Sequence, residues 1–257
     1  ERDLQEAWSV YGVYPAFAWT PDSRGIVAWA RGKLWRVDPF HNTAVDIPFH
    51  VKDTRELRTA QRVPQVVAPD EFPVHQLGSV NVSPDGQRVV YSALGHLYLK
   101  DLPNGKPYRL TTTNERFEFF PSFSRDGKEL VFVTWNDEQL GSVRKLQLDT
   151  SRETVLTTVP GKYLEPRFSP DGKHVVYTKA RGGLLTSPWH GLDLGIYLAR
   201  SDGKNAPVRL TKEGEAPQFG DRNDEVYVSR FSESNEVDMQ RKLVRIDLQD
   251  HKETEVA

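Results

Sequence analysis

The sequence predicts an all-β fold, a β-propeller of four-stranded antiparallel blades with five blades visible, and three observations predict it. A turn with the core Ser-Pro-Asp-Gly recurs along the chain. Each copy is followed by the same order of β-rich runs. Convincing helical periodicity is missing, apart from 54–63, which has room for a turn or two of helix.

Aligned on the turn, the copies begin at Trp19, Val82, Phe123 and Phe168, with a weaker fifth at Phe219. The turn aspartates are Asp22, Asp85, Asp126 and Asp171, with Asp221 as the degenerate member, spaced 63, 41, 45 and 50 residues apart. An aromatic stands six positions after the aspartate in four copies, as Tyr91, Phe132, Tyr177 and Tyr227. A second run follows in each unit, at 32–38, 95–102, 143–149, 195–203 and 242–248, and alternation is clear in HLYLKDL and LVRIDL. A short run then closes the unit: YRLT, TVLT, VRLT and TEV. The blades are therefore expected at about 13–49, 78–112, 118–158, 163–212 and 215–257, with a crossing insertion at 50–77, all in one domain. A β-sandwich of unrelated hairpins is the alternative, but it has no need of one turn and one strand order five times over. Blades do, because a single four-stranded sheet cannot cover both its faces and must stack on its neighbours.

The turn residues suit a tight reversal. Proline presets φ near −65°, aspartate tolerates the next position, and glycine takes a positive φ that a Cβ resists. The serine hydroxyl is placed to bond back to the turn. A calcium loop is excluded, since each turn offers one carboxylate and calcium takes about 6–8 oxygens.

The meander assigns the loops to ends. The short regular turns fall at one end of the blades. The irregular segments gather at the other: 135–142, 180–195, 230–241 and the crossing from His50 to Leu77. Binding usually resides in loops on a rigid scaffold, so that second end is the expected working face. Trp135, Asp137 and Glu138 in one loop, and Trp189 and His190 in the next blade's loop, are candidate binding residues. The two tryptophans have an alternative reading as packing for long loops. The first strand of each blade should line a central channel, which makes Tyr14, Phe120, Glu165 and Glu215 candidates for its mouth.

Composition narrows the classes. With 34 basic against 36 acidic residues the net charge is −2, which argues against nucleic acid as the main partner. No apolar run approaches the roughly 20 residues of a membrane helix, so membrane insertion is not expected. Cysteine is absent, which excludes disulfides and thiolate metal sites and fits cytosol and periplasm equally. The chain opens on Glu1, so it reads as a piece of something longer.

Catalytic signatures are lacking. There is no Gly-x-Ser-x-Gly, no phosphate-binding glycine motif and no His-x-His, and the seven histidines scatter over the repeats. The carboxylate pairs Asp137/Glu138 and Glu115/Glu118 are read as solvated loop residues rather than an acid–base pair. No catalytic residue, metal or cofactor is expected in this chain.

With its repeats laid out, the chain resembles the TolB-like propellers, which carry the same FSPDGK..VVY core. It is more similar still to the propeller portion of bacterial proteins in which TolB-like blades precede an amidohydrolase domain. The segments that carry this are 13–22, 67–77, 117–145 and 163–173. The resemblance implies a periplasmic or secreted protein that binds a protein or peptide, or the C-terminal catalytic domain of its own parent. It places any hydrolase site outside this chain. It also implies six or more blades, so that five leave unpaired edges that favour self-association. A gating propeller of a serine peptidase and a stand-alone interaction domain are the alternatives. A lyase or metal enzyme using channel histidines is a third reading, which the histidine spacing does not support.

Overall fold

In a computed structural model of the chain, the described residues are 17–30, 32–57, 66–67, 69–183, 189–231 and 241–256. Among them there is no helix, and twenty strands form five four-stranded sheets. Residues 54–57 of the expected helical stretch have no regular structure, and 58–63 lie outside the described residues.

The chain divides into two compact units, Glu1–Phe72 and Pro73–Ala257. The first holds one sheet, β1 (Phe17–Trp19), β2 (Ile26–Ala30), β3 (Lys33–Asp38) and β4 (Thr43–Ile47), in that order. The second unit holds four sheets of the same meander. Blade 2 is β5 (Gly78–Val82), β6 (Arg88–Ala93), β7 (His96–Asp101) and β8 (Tyr108–Arg109). Blade 3 is β9 (Phe117–Phe123), β10 (Glu129–Asn136), β11 (Leu140–Gln147) and β12 (Glu153–Val155). Blade 4 is β13 (Lys162–Phe168), β14 (His174–Ala180), β15 (Gly195–Arg200) and β16 (Val208–Thr211). Blade 5 is β17 (Glu215–Phe219), β18 (Glu225–Phe231), β19 (Arg241–Asp247) and β20 (Glu253–Glu255).

The core of the second unit lies in the seams between successive blades. Val90, Leu97 and Leu99 of blade 2 meet Phe123, Leu130, Phe132 and Leu146 of blade 3. Val131, Val133, Val143 and Leu156 on the other face of blade 3 meet Tyr163, Phe168, Val175 and Tyr177 of blade 4. Val176 and Ile196 then meet Val226, Val228, Val244 and Ile246 of blade 5. Adjacent residues such as Val175 and Val176 thus point to opposite seams, as a strand buried on both faces requires.

The repeated turn is closed from within. Ser124 Oγ donates to Asp126 Oδ1 at 2.7 Å and accepts the Glu129 amide at 3.0 Å, while Asp126 Oδ1 also accepts the Lys128 amide at 3.1 Å. Ser83 with Asp85, Ser169 with Asp171 and Thr20 with Asp22 repeat the arrangement. Gly86, Gly127 and Gly172 supply φ of 71°, 68° and 70°. The fifth copy departs from the predicted alignment. Phe219 pairs with Val226 as Phe168 pairs with Val175, which puts Arg222, not Asp221, at the aspartate position. The same register puts Val228, not Tyr227, at the aromatic position, and Tyr227 faces away from that seam.

These bonds carry an acid dependence. The hydroxyls of Thr20, Ser83 and Ser124 hold Asp22, Asp85 and Asp126 below the ordinary aspartate value. Burial pushes Asp171 up, but the Ser169 hydroxyl and the Lys173 amide more than offset it. A carboxyl depressed on folding contributes stability above its unfolded value, and that contribution is lost as pH falls through the folded one. Urea unfolding is therefore expected to give a flat stability from neutral pH to about pH 5, falling below about pH 4. Asp126→Asn should flatten that acid limb. Ser124→Ala, at a residue only 3% exposed, should cost about 1–2 kcal/mol at neutral pH.

Candidate functional site

The loop predicted to bind holds itself closed. Trp135, at the end of β10, is half-buried, and its indole N–H donates to Asp137 Oδ1 at 2.9 Å. Asn136 Oδ1 accepts the Gln139 amide at 2.6 Å, and its Nδ2 donates to the Glu115 carbonyl at 3.3 Å. Asp137 and Glu138 are exposed at the tip. Gly141, at the foot of this loop, bridges to Gly161, and a Cβ on Gly141 would stand 2.3 Å from the Gly161 oxygen. Only glycine fits there. In the β14–β15 loop Trp189 and His190 are exposed, and the Gly182 amide donates to the His190 carbonyl at 2.9 Å. Tyr14 lies outside the described residues.

The first strands β5, β9, β13 and β17 lie side by side, and each carries the same irregularity. In each, two residues oppose one on the next strand, which is a β-bulge. Phe120 and Pro121 oppose Phe132, Glu165 and Pro166 oppose Tyr177, Ala216 and Pro217 oppose Val228, and Ser79 and Val80 oppose Tyr91. The first residue of every pair has a positive φ: 52° at Phe120, 50° at Glu165, 48° at Ala216 and 48° at Ser79. Non-glycine residues rarely adopt that region, and each instance stores about 1–3 kcal/mol of strain. Phe120 and Glu165 thus occupy equivalent places, both half-buried, with Phe120 packed on the core between blades 3 and 4. Glu215 stands one residue before its blade's bulge, exposed, and accepts from Arg241 Nη2 at 3.2 Å. The equivalent position is Ala216. The sequence does carry a signal for the bulge, because proline stands two residues before the turn aromatic in blades 3, 4 and 5.

Behind the 135–142 loop is a charged network that sequence reasoning did not assemble. Glu118 is 0% exposed, so it is not the solvated loop residue expected, whereas Glu115 is exposed. Glu118 Oε2 accepts from Thr111 Oγ1 at 2.5 Å and from the Leu97 amide at 3.2 Å. Its Oε1 has no hydrogen bond and lies 3.7 Å from Arg116 Nη2. Arg116 Nη2 donates to both oxygens of Glu153, at 2.6 and 2.7 Å, and Arg144 Nη1 donates to Glu153 Oε2 at 3.2 Å. Burial pulls the Arg144 guanidinium below its ordinary value and the neighbouring Arg116 adds to this, with Glu153 opposing. A shallow cleft opens beside the two arginines, lined also by Thr134, Gln139 and Ser142. Blade 5 repeats the pattern in part, where Arg230 bonds both oxygens of Glu253 and Thr211 Oγ1, each at 2.7 Å. The shared Glu-Thr at 153–154 and 253–254, and the threonines that end YRLT and VRLT, Thr111 and Thr211, are its trace in the sequence.

Both carboxylates of the larger network are engaged by arginine or by main-chain and hydroxyl donors. That arrangement fixes a surface of donors and acceptors rather than freeing an acid–base pair. Among the described residues no three histidine, aspartate or glutamate side chains converge on a point that could hold a metal ion. Among the same residues no helix is long and apolar enough to cross a membrane.

No family model matches the chain. Its sequence is 33% identical to the Tol-Pal system protein TolB of Rickettsia massiliae over 84 residues, which is 33% of this chain and 17% of that protein. The chain therefore spans under a fifth of the length of the curated TolB proteins it matches. In structure it superposes on a TolB candidate of Agrobacterium tumefaciens with a TM-score of 0.55 and 19% identity, covering 94% of this chain and 79% of that one. It superposes on TolB from Acinetobacter baumannii with a TM-score of 0.53 and 16% identity, covering 94% of this chain and 53% of that one. The five four-stranded meanders and these superpositions give the chain the all-β propeller fold of four-stranded blades seen in the TolB structures.

Proposed function

We propose that this chain is a non-catalytic propeller module that binds a protein or peptide at its loop end, in the periplasm, as the accessory domain of a larger amidohydrolase-like hydrolase. The observation that carries the binding role is the row of bulges. One strained backbone conformation is repeated in four blades, yet it presents serine, phenylalanine, glutamate and alanine. A constant scaffold with varied side chains is what recognition of an asymmetric surface needs. The TolB-like fold supports a module of this kind, and the parent hydrolase rests on the resemblance of segments 13–22, 67–77, 117–145 and 163–173.

The test is capture of partners from periplasmic extract by the wild-type chain, Trp135→Ala and Glu165→Ala. Each substitution is expected to lower recovery of a specific partner at least tenfold, the range of a binding hot spot. Undiminished recovery by both variants would remove binding from this end of the blades. Light scattering on the same samples reads the self-association expected of unpaired blade edges, and a sharp monomer would count against it. Coding sequence downstream of Ala257 decides the parent: His-x-His supports a hydrolase of amidohydrolase type. Gly-x-Ser-x-Gly would make the chain a gating propeller instead.

A further inference from the structure

At the opposite end of the blades, among the regular turns, a shallow cleft opens between blades 3, 4 and 5. Its walls are apolar and cationic. Half-buried Phe219 supplies the apolar part together with the exposed edges of Phe123 and Phe168, which are otherwise core residues only 8% and 9% exposed, and Arg125 and Arg167 supply the charge. No carboxylate lines it. The nearby turn aspartates do not compensate, because Asp126 is bonded to Ser124 and Lys128 and Asp171 to Ser169 and Lys173.

Arg167 is the less exposed of the two cations. It is half-buried, and among the described residues its one hydrogen bond runs from Nη1 to the Pro166 carbonyl at 3.2 Å. Of the other half-buried arginines in this unit, Arg116, Arg144 and Arg230 have a carboxylate within 3.2 Å, whereas Arg88 and Arg109 bond to the Gly127 and Thr113 carbonyls instead. Neither Arg125 nor Arg167 forms an ion pair among the described residues. Burial pulls the Arg167 guanidinium below the ordinary arginine value, and the opposing influence of Glu165 does not cancel it. The same strand position in blade 2 is Asn81, whose Oδ1 accepts the Phe123 amide at 3.1 Å and ties blade 2 to blade 3. Blade 4 has an arginine there and no such tie. A partly desolvated cation without a counter-charge is costly unless something supplies one.

We infer that this turn-end cleft binds a carboxylate carried on an apolar or aromatic group, with Arg167 and Arg125 pairing the carboxylate and the three phenylalanines receiving the apolar part. Planar guanidinium groups suit a carboxylate, and the aromatic walls exclude water from the pair. The site lies at the other end of the blades from the loops discussed above and does not depend on what they bind.

The test is calorimetric titration of the chain with the tripeptide Ala-Ala-Phe, with its C-terminal amide, and with phenylpropanoate. The free-acid tripeptide is expected to bind saturably, at least tenfold tighter than the amide, and Arg167→Gln should lower its affinity at least tenfold. Arg125→Gln, at an exposed residue, is expected to lower it at least threefold and keeps the test decisive if Arg167→Gln does not fold. A tripeptide tighter than phenylpropanoate assigns the cleft to peptide C-termini, and equal affinities assign it to small apolar acids. Acid and amide binding alike, no saturation by either acid, or unchanged affinity in Arg125→Gln would overturn the inference.

Discussion

Phe132→Ala is expected to destabilise the second unit by about 3–5 kcal/mol, the cost of truncating a buried aromatic and leaving a cavity. Phe132 is 0% exposed and sits in the seam with Val90, Leu97 and Leu99 of blade 2. It is also the residue that the bulged pair Phe120 and Pro121 opposes, so its loss removes the backing of a strained segment as well as core volume. Tyr227→Ala is the control, because Tyr227 is half-buried on the face of blade 5 turned away from the blade 4–5 seam. It should cost about 1 kcal/mol, as partly exposed positions do. Urea unfolding at neutral pH separates the two. A loss below about 1 kcal/mol for Phe132→Ala would mean that the seams are not packed as described.

Repetition made the blades legible. Each unit needs the same reversal and the same order of strands, so the sequence repeats wherever the backbone does. The aromatic six positions after the turn aspartate was visible as a pattern, but its purpose was not. It opposes the bulge, a relation that depends on the pairing of two strands and on φ at one residue. The fifth unit shows the limit of counting. A shift of one residue moved the expected turn aspartate to Asp221 and the expected aromatic to Tyr227. The strand register instead aligns Arg222 and Val228 with the other blades. A slip of one exchanges the two faces of a strand, which local spacing cannot detect.

The loop at 135–142 was placed at the irregular end from the sequence, and the residues singled out within it were its most conspicuous ones. Trp135 and Asp137 bond to each other, so the shape of the loop depends on both. The cleft beside it is formed by Arg116, Thr134, Gln139, Ser142 and Arg144, which come from a crossing, two strands and a hairpin. Residues gathered from separate elements leave no compact motif to read. The turn end is not the expected working face for the complementary reason. Its turns are regular, but the cleft combines strand ends and Arg167 with Arg125 of one turn and Ser169 and Pro170 of the next.

Glu118→Leu is expected to cost about 3–5 kcal/mol, although no sequence motif marks the residue. The carboxylate is fully buried, and one of its oxygens serves both the Thr111 hydroxyl and the Leu97 amide. Leucine matches the volume but leaves those two donors unpaired in the blade 2–3 seam, at about 1–3 kcal/mol each. It also removes the charge 3.7 Å from Arg116, whose remaining carboxylate is Glu153. Glu118→Gln keeps an acceptor for both donors and should cost about 1–2 kcal/mol, less than leucine by the value of the two hydrogen bonds. Arg116→Met is destabilising for the converse reason, since it leaves Glu118 buried without a cation. If the two charges are coupled, the double variant Arg116→Met/Glu118→Leu will lose less than the two single variants together, by about 1 kcal/mol or more. Strict additivity in urea unfolding would show that Glu118 is held by its hydrogen bonds alone, and that the arginine beside it serves only Glu153.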